Sequence, residues 1–203
     1  GLLMREKNLE IEVKFLVPDL AAFRERLLAA GAELTKPRIY ERNLRFDTAD
    51  ERLLKKESLL RLREDTAVTL TYKGTPEKLP KSEAKVREEL EVQVTDFDTL
   101  SLIFQRLGFA PVQVYEKYRE TFEWQDVEIV LDELPYGNFI ELEGEEAGIK
   151  TAVAHLNLNW QDRIVDNYLG LMAQLKAHHN LPFNDLTFAN FTNLDVFIAD
   201  ILR

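Results

Sequence analysis

Leu9-Glu10-Ile11-Glu12-Val13-Lys14-Phe15 alternates apolar and charged residues without a break. A strand sends successive side chains to opposite faces, so this spacing predicts a strand. Leu9, Ile11, Val13 and Phe15 share one face, and Glu10, Glu12 and Lys14 the other. Pro18-Asp19 then opens a helix, with Asp19 as its N-cap and Leu20, Phe23 and Leu27 at helical spacing; Gly31 supplies the stop. The same order returns further on. Glu88 to Val94 alternates like the first strand, Asp96 or Asp98 caps a helix carrying Leu100, Ile103, Phe104 and Leu107, and Gly108 closes it. The two Glu-x-Glu pairs stand 79 residues apart, which reads as an internal repeat.

Further strands are expected at Leu44–Phe46, Leu59–Arg63, Val68–Lys73, Tyr115–Trp124, Val127–Asp132 and Phe139–Glu143. A lysine-bearing loop from Gly74 to Lys85 divides the halves and could close over an anionic ligand. From about Glu145 the chain reads as helical, with Leu156, Ile164, Tyr168, Leu171 and Leu175 as apolar positions. The tail beyond Pro182 is expected to pack on the main body. A single domain over 1–203 is expected, with a core of about 8–180 and a C-terminal segment of 181–203.

The strand faces carry charges of one sign in pairs. Arg61 sits with Arg63, Lys117 with Arg119, Glu89 with Glu91, Glu141 with Glu143, and Glu10 with Glu12; Lys73 shares a face with Thr69 and Thr71, and Asp132 one with Glu128. A single such strand is ordinarily the wet face of a half-buried sheet. Like charges repeated two residues apart do not stabilise a sheet, and signs segregated by strand instead suggest a site with an acidic wall and a basic one. The apolar faces need cover, which the two helices provide. The arrangement is then a barrel with its charged side inward and helices outside, the inverse of a small barrel filled by apolar side chains. Isolated charges in such a lumen cost several kcal/mol each, so it must hold water, counter-charges or a charged ligand. Lys14, Arg61, Arg63, Lys73, Lys117 and Arg119 suit several phosphate oxygens at once. Carboxylates beside phosphate call for a hard divalent cation, and oxygen-only ligation suits Mg²⁺ or Mn²⁺. The residues alone therefore point to metal-dependent chemistry on a polyphosphate.

Composition narrows the alternatives. With 203 residues, 45% of them hydrophobic, the chain can build a core. It has no cysteine, which removes disulfides, thiolate zinc sites and cysteine nucleophiles. Its three histidines, His155, His178 and His179, do not make a metal site, because adjacent residues on a helix point apart. Trp124 and Trp160 are read as core or exterior anchors rather than as base-stacking platforms. The opening stretch, Gly1 to Lys7, has too short an apolar run for a signal peptide, and no segment approaches a membrane span, so a cytoplasmic protein is expected. A net charge of −10 argues against nucleic acid and anionic membrane as partners. It does not exclude a small polyanion: six basic and seven acidic lumen candidates carry −1, the other 20 basic and 29 acidic residues −9, and two divalent ions would bring the site to about +3.

Glu10-x-Glu12-x-Lys14, followed in order by Arg61-x-Arg63, Lys73 before a glycine, Glu89-x-Glu91, Lys117-x-Arg119, Asp132 and Glu141-x-Glu143, resembles the CYTH family, the triphosphate tunnel metalloenzymes, over roughly residues 8–180. The resemblance implies an α+β fold: an eight-stranded antiparallel β-barrel forming a closed or nearly closed tunnel, with helices packed outside. It implies that Lys14, Arg61, Arg63, Lys73, Lys117 and Arg119 bind the triphosphate. Glu10, Glu12, Asp132, Glu141 and Glu143 would hold metal directly or through water, as two ions of Mg²⁺ or Mn²⁺, with Glu89 and Glu91 on the same acidic wall. Arg87 shares the face of Glu89. Arg45-Phe46-Asp47-Thr48 departs from the aromatic pair that many relatives carry before Asp-Thr, which leaves the organic part of the substrate open. Inorganic tripolyphosphate and thiamine triphosphate lead as substrates, with a metal-activated water as nucleophile. The alternatives are a class IV adenylyl cyclase acting on ATP and a non-catalytic polyphosphate- or nucleotide-binding module.

Overall fold

Strand β1, Leu9–Leu16, is where the alternation places it, in a computed structural model that describes residues 8–202. The stretch read for a leader, Gly1 to Lys7, lies outside the described residues. Seven further strands follow: β2 Glu33–Asp47, β3 Leu59–Glu64, β4 Val68–Gly74, β5 Lys85–Val94, β6 Ala110–Trp124, β7 Val127–Leu134 and β8 Gly137–Glu143. All pairings are antiparallel, and the ring runs β1-β5-β4-β3-β2-β6-β7-β8 and back to β1. The fold is the expected α+β barrel, closed, with helices outside.

The inverted pattern is observed. Val13, Phe15, Phe122, Ile129, Ile140 and Leu142 point outward into an apolar layer. Helix α1, Leu20–Ala29, covers it with Phe23 and Leu27 fully buried, and α4, Glu146–His155, adds Ile149, Ala152 and Val153. Asp19 caps α1 by accepting the Ala22 N–H at 2.9 Å, and the chain leaves past Gly31 at φ +86°, a left-handed position that glycine adopts without Cβ strain. Helix α2, Arg52–Lys55, is a single turn that the sequence reading did not foresee; the buried Asp47 carboxylate receives the N–H groups of Thr48, Leu53 and Leu54 and so holds it. Helix α3, Phe97–Arg106, is capped by Asp96 rather than Asp98, through the Thr99 N–H. Leu100 and Phe104 pack on the barrel, but Ile103 and Leu107, expected on the inner face, are 48% and 68% exposed. Leu107 lies past the last helical residue, Arg106, and Ile103 falls on the far side of Leu100 from Phe104.

The internal repeat has a counterpart in the ring. Exchanging β1 with β5, β2 with β6, β3 with β7 and β4 with β8 leaves every neighbour relation unchanged. The glycine after the second helix, Gly108 at φ +92°, matches Gly31.

The last third wraps one end of the barrel. Ile164 bridges to Lys14 of β1 and Leu186 to Tyr115 of β6. Helix α5, Tyr168–His179, and the short α6, Phe188–Phe191, bury Leu171, Met172, Leu175 and Phe191 with Tyr136, Phe139 and Ile198 in a second core. Trp124 lies outside the barrel, donating to the Ala30 carbonyl and stacking on His155. His179 pairs with Asp200 at 3.0 Å on the surface. No described helix is long and apolar enough to cross a membrane.

Candidate active site

The barrel holds a cavity of about 350 Å³ lined mostly by charged side chains. Lys14, Arg61, Arg63, Lys73, Lys117 and Arg119 line it, as do Glu10, Glu12, Glu89, Glu91, Glu141 and Glu143. Asp132 does not; it lies just behind the lining.

The acidic side is built on β1, β5 and β8. Cross-strand register sets Glu12 opposite Glu143 and Lys14 opposite Glu141. Carboxylate oxygens of Glu10, Glu89 and Glu143 lie within 4.8 Å of one another. That crowding shows in their protonation. Burial, then Glu10, Glu128 and Glu12, push the Glu143 carboxyl up to about 8. Burial and the hydrogen bond with Glu10 push Glu89 up to about 8, while Glu10, against its own burial, is held down at about 2 by Glu89 and Lys73. Glu10 and Glu89 thus share one proton as a pair. Burial, with Glu141 and Glu10, also raises Glu12. Oxygen-only donors with excess negative charge fit a hard divalent cation.

A pH dependence follows. Glu89 and Glu143 titrate near 8 in the folded chain but at ordinary carboxylate values when unfolded. Their contribution to stability is full below pH ~4.5 and is lost as pH rises through ~8. The metal-free protein should therefore melt at lower temperature at pH 9 than at pH 6. Mn²⁺ should raise the melting temperature more at the higher pH, as scanning fluorimetry with and without EDTA would show. An equal metal shift at both pH values would count against this carboxylate group as a cation site.

The basic side is built on β3, β4 and β6, which carry Arg61, Arg63, Lys73, Lys117 and Arg119, with Lys14 added from β1. Register puts Arg63 beside Asn43, Arg61 beside Arg45, and Lys117 opposite Glu41. Most of these cations already hold carboxylates. Lys73 meets Glu10 at 2.9 Å and Lys14 meets Glu141 at 3.4 Å. Arg119 grips Asp132 through two nitrogens at 2.7 and 2.6 Å and reaches Glu141 at 2.9 Å. Those neighbours hold Glu141, despite its burial, well below the usual carboxylate range. Arg61 differs: it is buried, it donates to the Tyr115 hydroxyl at 2.9 Å and contacts Thr71, and its Nε has no partner. Among the described residues no carboxylate lies within ion-pairing distance of it.

Several lumen groups escaped the sequence reading. Glu41, within the long β2 strand, is 3% exposed. Tyr168, at the start of α5, lies under the ammonium groups of Lys14 and Lys117 at 4.6 and 5.0 Å and donates to Asp132 at 2.7 Å. Lys85, assigned to a loop, begins β5 and lines the cavity. Arg87, which the sequence already set on the face of Glu89, lines it as well, its guanidinium donating to the Glu57 carbonyl. The loop's far end is tied outside the barrel, where Ser82 Oγ and the Glu83 N–H both donate to Glu146.

The model of the CYTH domain matches residues 8–156. The chain belongs to the CYTH family. A relative from Methanocaldococcus jannaschii, named "Putative adenylate cyclase MJ0240", is 30% identical over 169 residues, covering 82% of this chain and 89% of that one. Among solved structures, PH1819 from Pyrococcus horikoshii OT3 aligns with a TM-score of 0.68 at 25% identity, over 81% of this chain and 98% of that one. HpAC1 from Hippeastrum aligns with a TM-score of 0.55 at 20% identity, over 78% and 91%. This CYTH barrel therefore shares its fold with relatives that it covers for most of their length.

Proposed function

We propose that this CYTH barrel hydrolyses a small triphosphate compound inside its tunnel with divalent metal. One observation carries the reading: a single lumen holds a carboxylate, Glu143, and a guanidinium, Arg61, that have no counter-charge at ion-pairing distance among the described residues. A ligand that brings both phosphate and a hard cation satisfies both. Glu10, Glu89 and Glu143 would hold the cation, with Glu12 and Glu141 beside them. A divalent ion bound there supplies Lewis-acid neutralisation of phosphate oxygens and a lowered pKa for bound water.

The chain's own groups do the rest. Arg61 and Arg63 present planar donors to phosphate oxygens, while Lys117 and Lys14 add point charge. The enclosed lumen limits bulk water and strengthens these contacts. Charge developing on the leaving phosphates is met by cations already in place. Asp132, to which the family resemblance gives a metal-holding role, direct or through water, has both oxygens taken up by Arg119, Lys117 and Tyr168. We assign it instead to positioning the basic wall. Asp132→Asn should then weaken tripolyphosphate binding at least ~10-fold while leaving Mn²⁺ affinity within ~2-fold, both read by calorimetry. A parallel loss of Mn²⁺ affinity would restore it as a ligand.

The decisive assay offers tripolyphosphate, thiamine triphosphate and ATP with Mg²⁺ or Mn²⁺ and identifies the phosphorus products. Orthophosphate with a diphosphate product is expected, in keeping with the dominant triphosphatase activity described for HpAC1. Cyclic AMP with pyrophosphate would replace this reading with the cyclase one suggested by the name of the archaeal relative. No product from any pairing would leave a binding module.

A further inference from the structure

Glu41 breaks the segregation of sign. The other lining carboxylates stand on β1, β5, β7 and β8 or, as Asp65, just past the end of β3, whereas Glu41 projects from β2 between Arg63 and Lys117, directly opposite Lys117 in register. Its Oε2 lies 3.3 Å from Arg63 and 3.7 Å from Lys117, yet receives no hydrogen bond from the described residues. The reason is local: the Arg63 Nε–H is spent on the Asn43 side-chain oxygen at 2.9 Å. Burial alone would raise this carboxyl, but Lys117, Arg63, Arg119 and Arg61 hold it down at about 2, so it stays ionised. The result is a buried anion with charge compensation and no directed donor, aimed into the cavity that would receive phosphate.

We infer that Glu41 is a specificity-determining residue, a resident anion that competes with the phosphate chain for Arg63 and Lys117. This rests on the triphosphate reading above and adds how the grip is limited. Among the described residues five of the six basic candidates hold carboxylates, and Arg61 does not. A cation on the acidic side would draw on Glu10 and Glu141 and so loosen Lys73 and Lys14. Glu41 stands apart from that group, so a cation does not release Arg63 and Lys117. The phosphate chain must displace or share Glu41 by its own charge. Such a competitor weakens the hold on substrate and product alike, as a site that must let go of a cleaved polyanion requires.

The opposite view gives the opposite sign. Were Glu41 only a brace for Arg63 and Lys117, its loss would let them drift and weaken binding. The test is calorimetric titration of metal-free protein in EDTA with tripolyphosphate and with pyrophosphate, for wild type, Glu41→Gln and Glu41→Asp. Glu41→Gln should bind tripolyphosphate at least 10-fold tighter than wild type and gain less for pyrophosphate, which carries less charge. Glu41→Asp keeps the anion and should stay within 3-fold of wild type. Unchanged or weaker tripolyphosphate binding by Glu41→Gln overturns the inference, as does equal tightening in both variants. If Glu41→Gln is unfolded in plain buffer, millimolar tripolyphosphate should fold it, as circular dichroism would show; failure to do so also overturns the inference. Wild type that binds no tripolyphosphate, with or without Mg²⁺, would instead defeat the triphosphate reading itself.

Discussion

Arg61→Ala is expected to lower tripolyphosphate affinity about 100-fold with Mg²⁺ present. Hydrogen bonds to a charged group are worth about 1.5–3 kcal/mol each, and a guanidinium can give two to one phosphate. Most lumen cations begin paired, so their gain on binding phosphate is offset by a lost carboxylate contact. Arg61 has no such contact to lose, and its unbonded Nε already faces a need for an acceptor. Arg63, shared between Glu41 and Asn43, should cost less on truncation. Calorimetric titration of the two alanine variants checks the order. An Arg63→Ala loss equal to or larger than that of Arg61→Ala would show that prior commitment to a carboxylate does not set the strength of the grip. Arg61→Lys should recover only part of the affinity, since an ammonium cannot make the planar two-point contact.

The second large effect has two opposite parts in one variant. Glu143→Gln should abolish the Mn²⁺-induced rise in melting temperature while making the metal-free protein more stable at alkaline pH. The carboxyl of Glu143 is raised to about 8 by burial and by Glu10, Glu128 and Glu12, so above that pH the fold must carry an unfavourable charge. A neutral amide of the same shape removes that charge, a gain of about 1 kcal/mol or more, or ~2–4 °C for a chain of this size. Below pH ~5 both side chains are neutral and the gain should vanish. Triphosphate turnover should fall with metal binding. A variant that keeps the Mn²⁺ shift, or that is less stable than wild type at pH 9, would remove Glu143 from the cation site.

Much of this site was legible because charged residues at every second position leave a trace that no other fold element leaves. β1, β3 and β8 announce both their faces, and the sign of each pair announces its wall. β2 did not, since its first half reads Glu33-Leu34-Thr35-Lys36-Pro37-Arg38, exposed and interrupted by a proline, and only Leu44–Phe46 showed as strand. Glu41 was lost with that missing half. Tyr168 was hidden for another reason. It was correctly read as a helical apolar position, but nothing local tells a chain that its helix start will sit at the barrel's end; the bridge from Ile164 to Lys14 decides that. Asp132 illustrates the limit of pattern alone. Parity on β7 put it toward the lumen, but only the structure shows Arg119, Lys117 and Tyr168 closing over it.

The ring also fixes an order of events as the chain is made. Of the eight described strands β1 is synthesised first, and its two neighbours are β5 and β8, the latter completed last. Bringing such distant segments together carries a loop-closure cost, and topologies of this kind fold slowly. Until β8 arrives, the edge of β1 that will receive it is an open row of backbone donors and acceptors, the kind of edge that invites pairing with another chain. The seam where the circle finally shuts sets Glu12 against Glu143 and Lys14 against Glu141. A nascent or truncated chain ending before Gly137 thus lacks Glu141 and Glu143, a third of its acidic wall, as well as its closure, and any cation that binds across that seam acts as a clasp on the finished barrel.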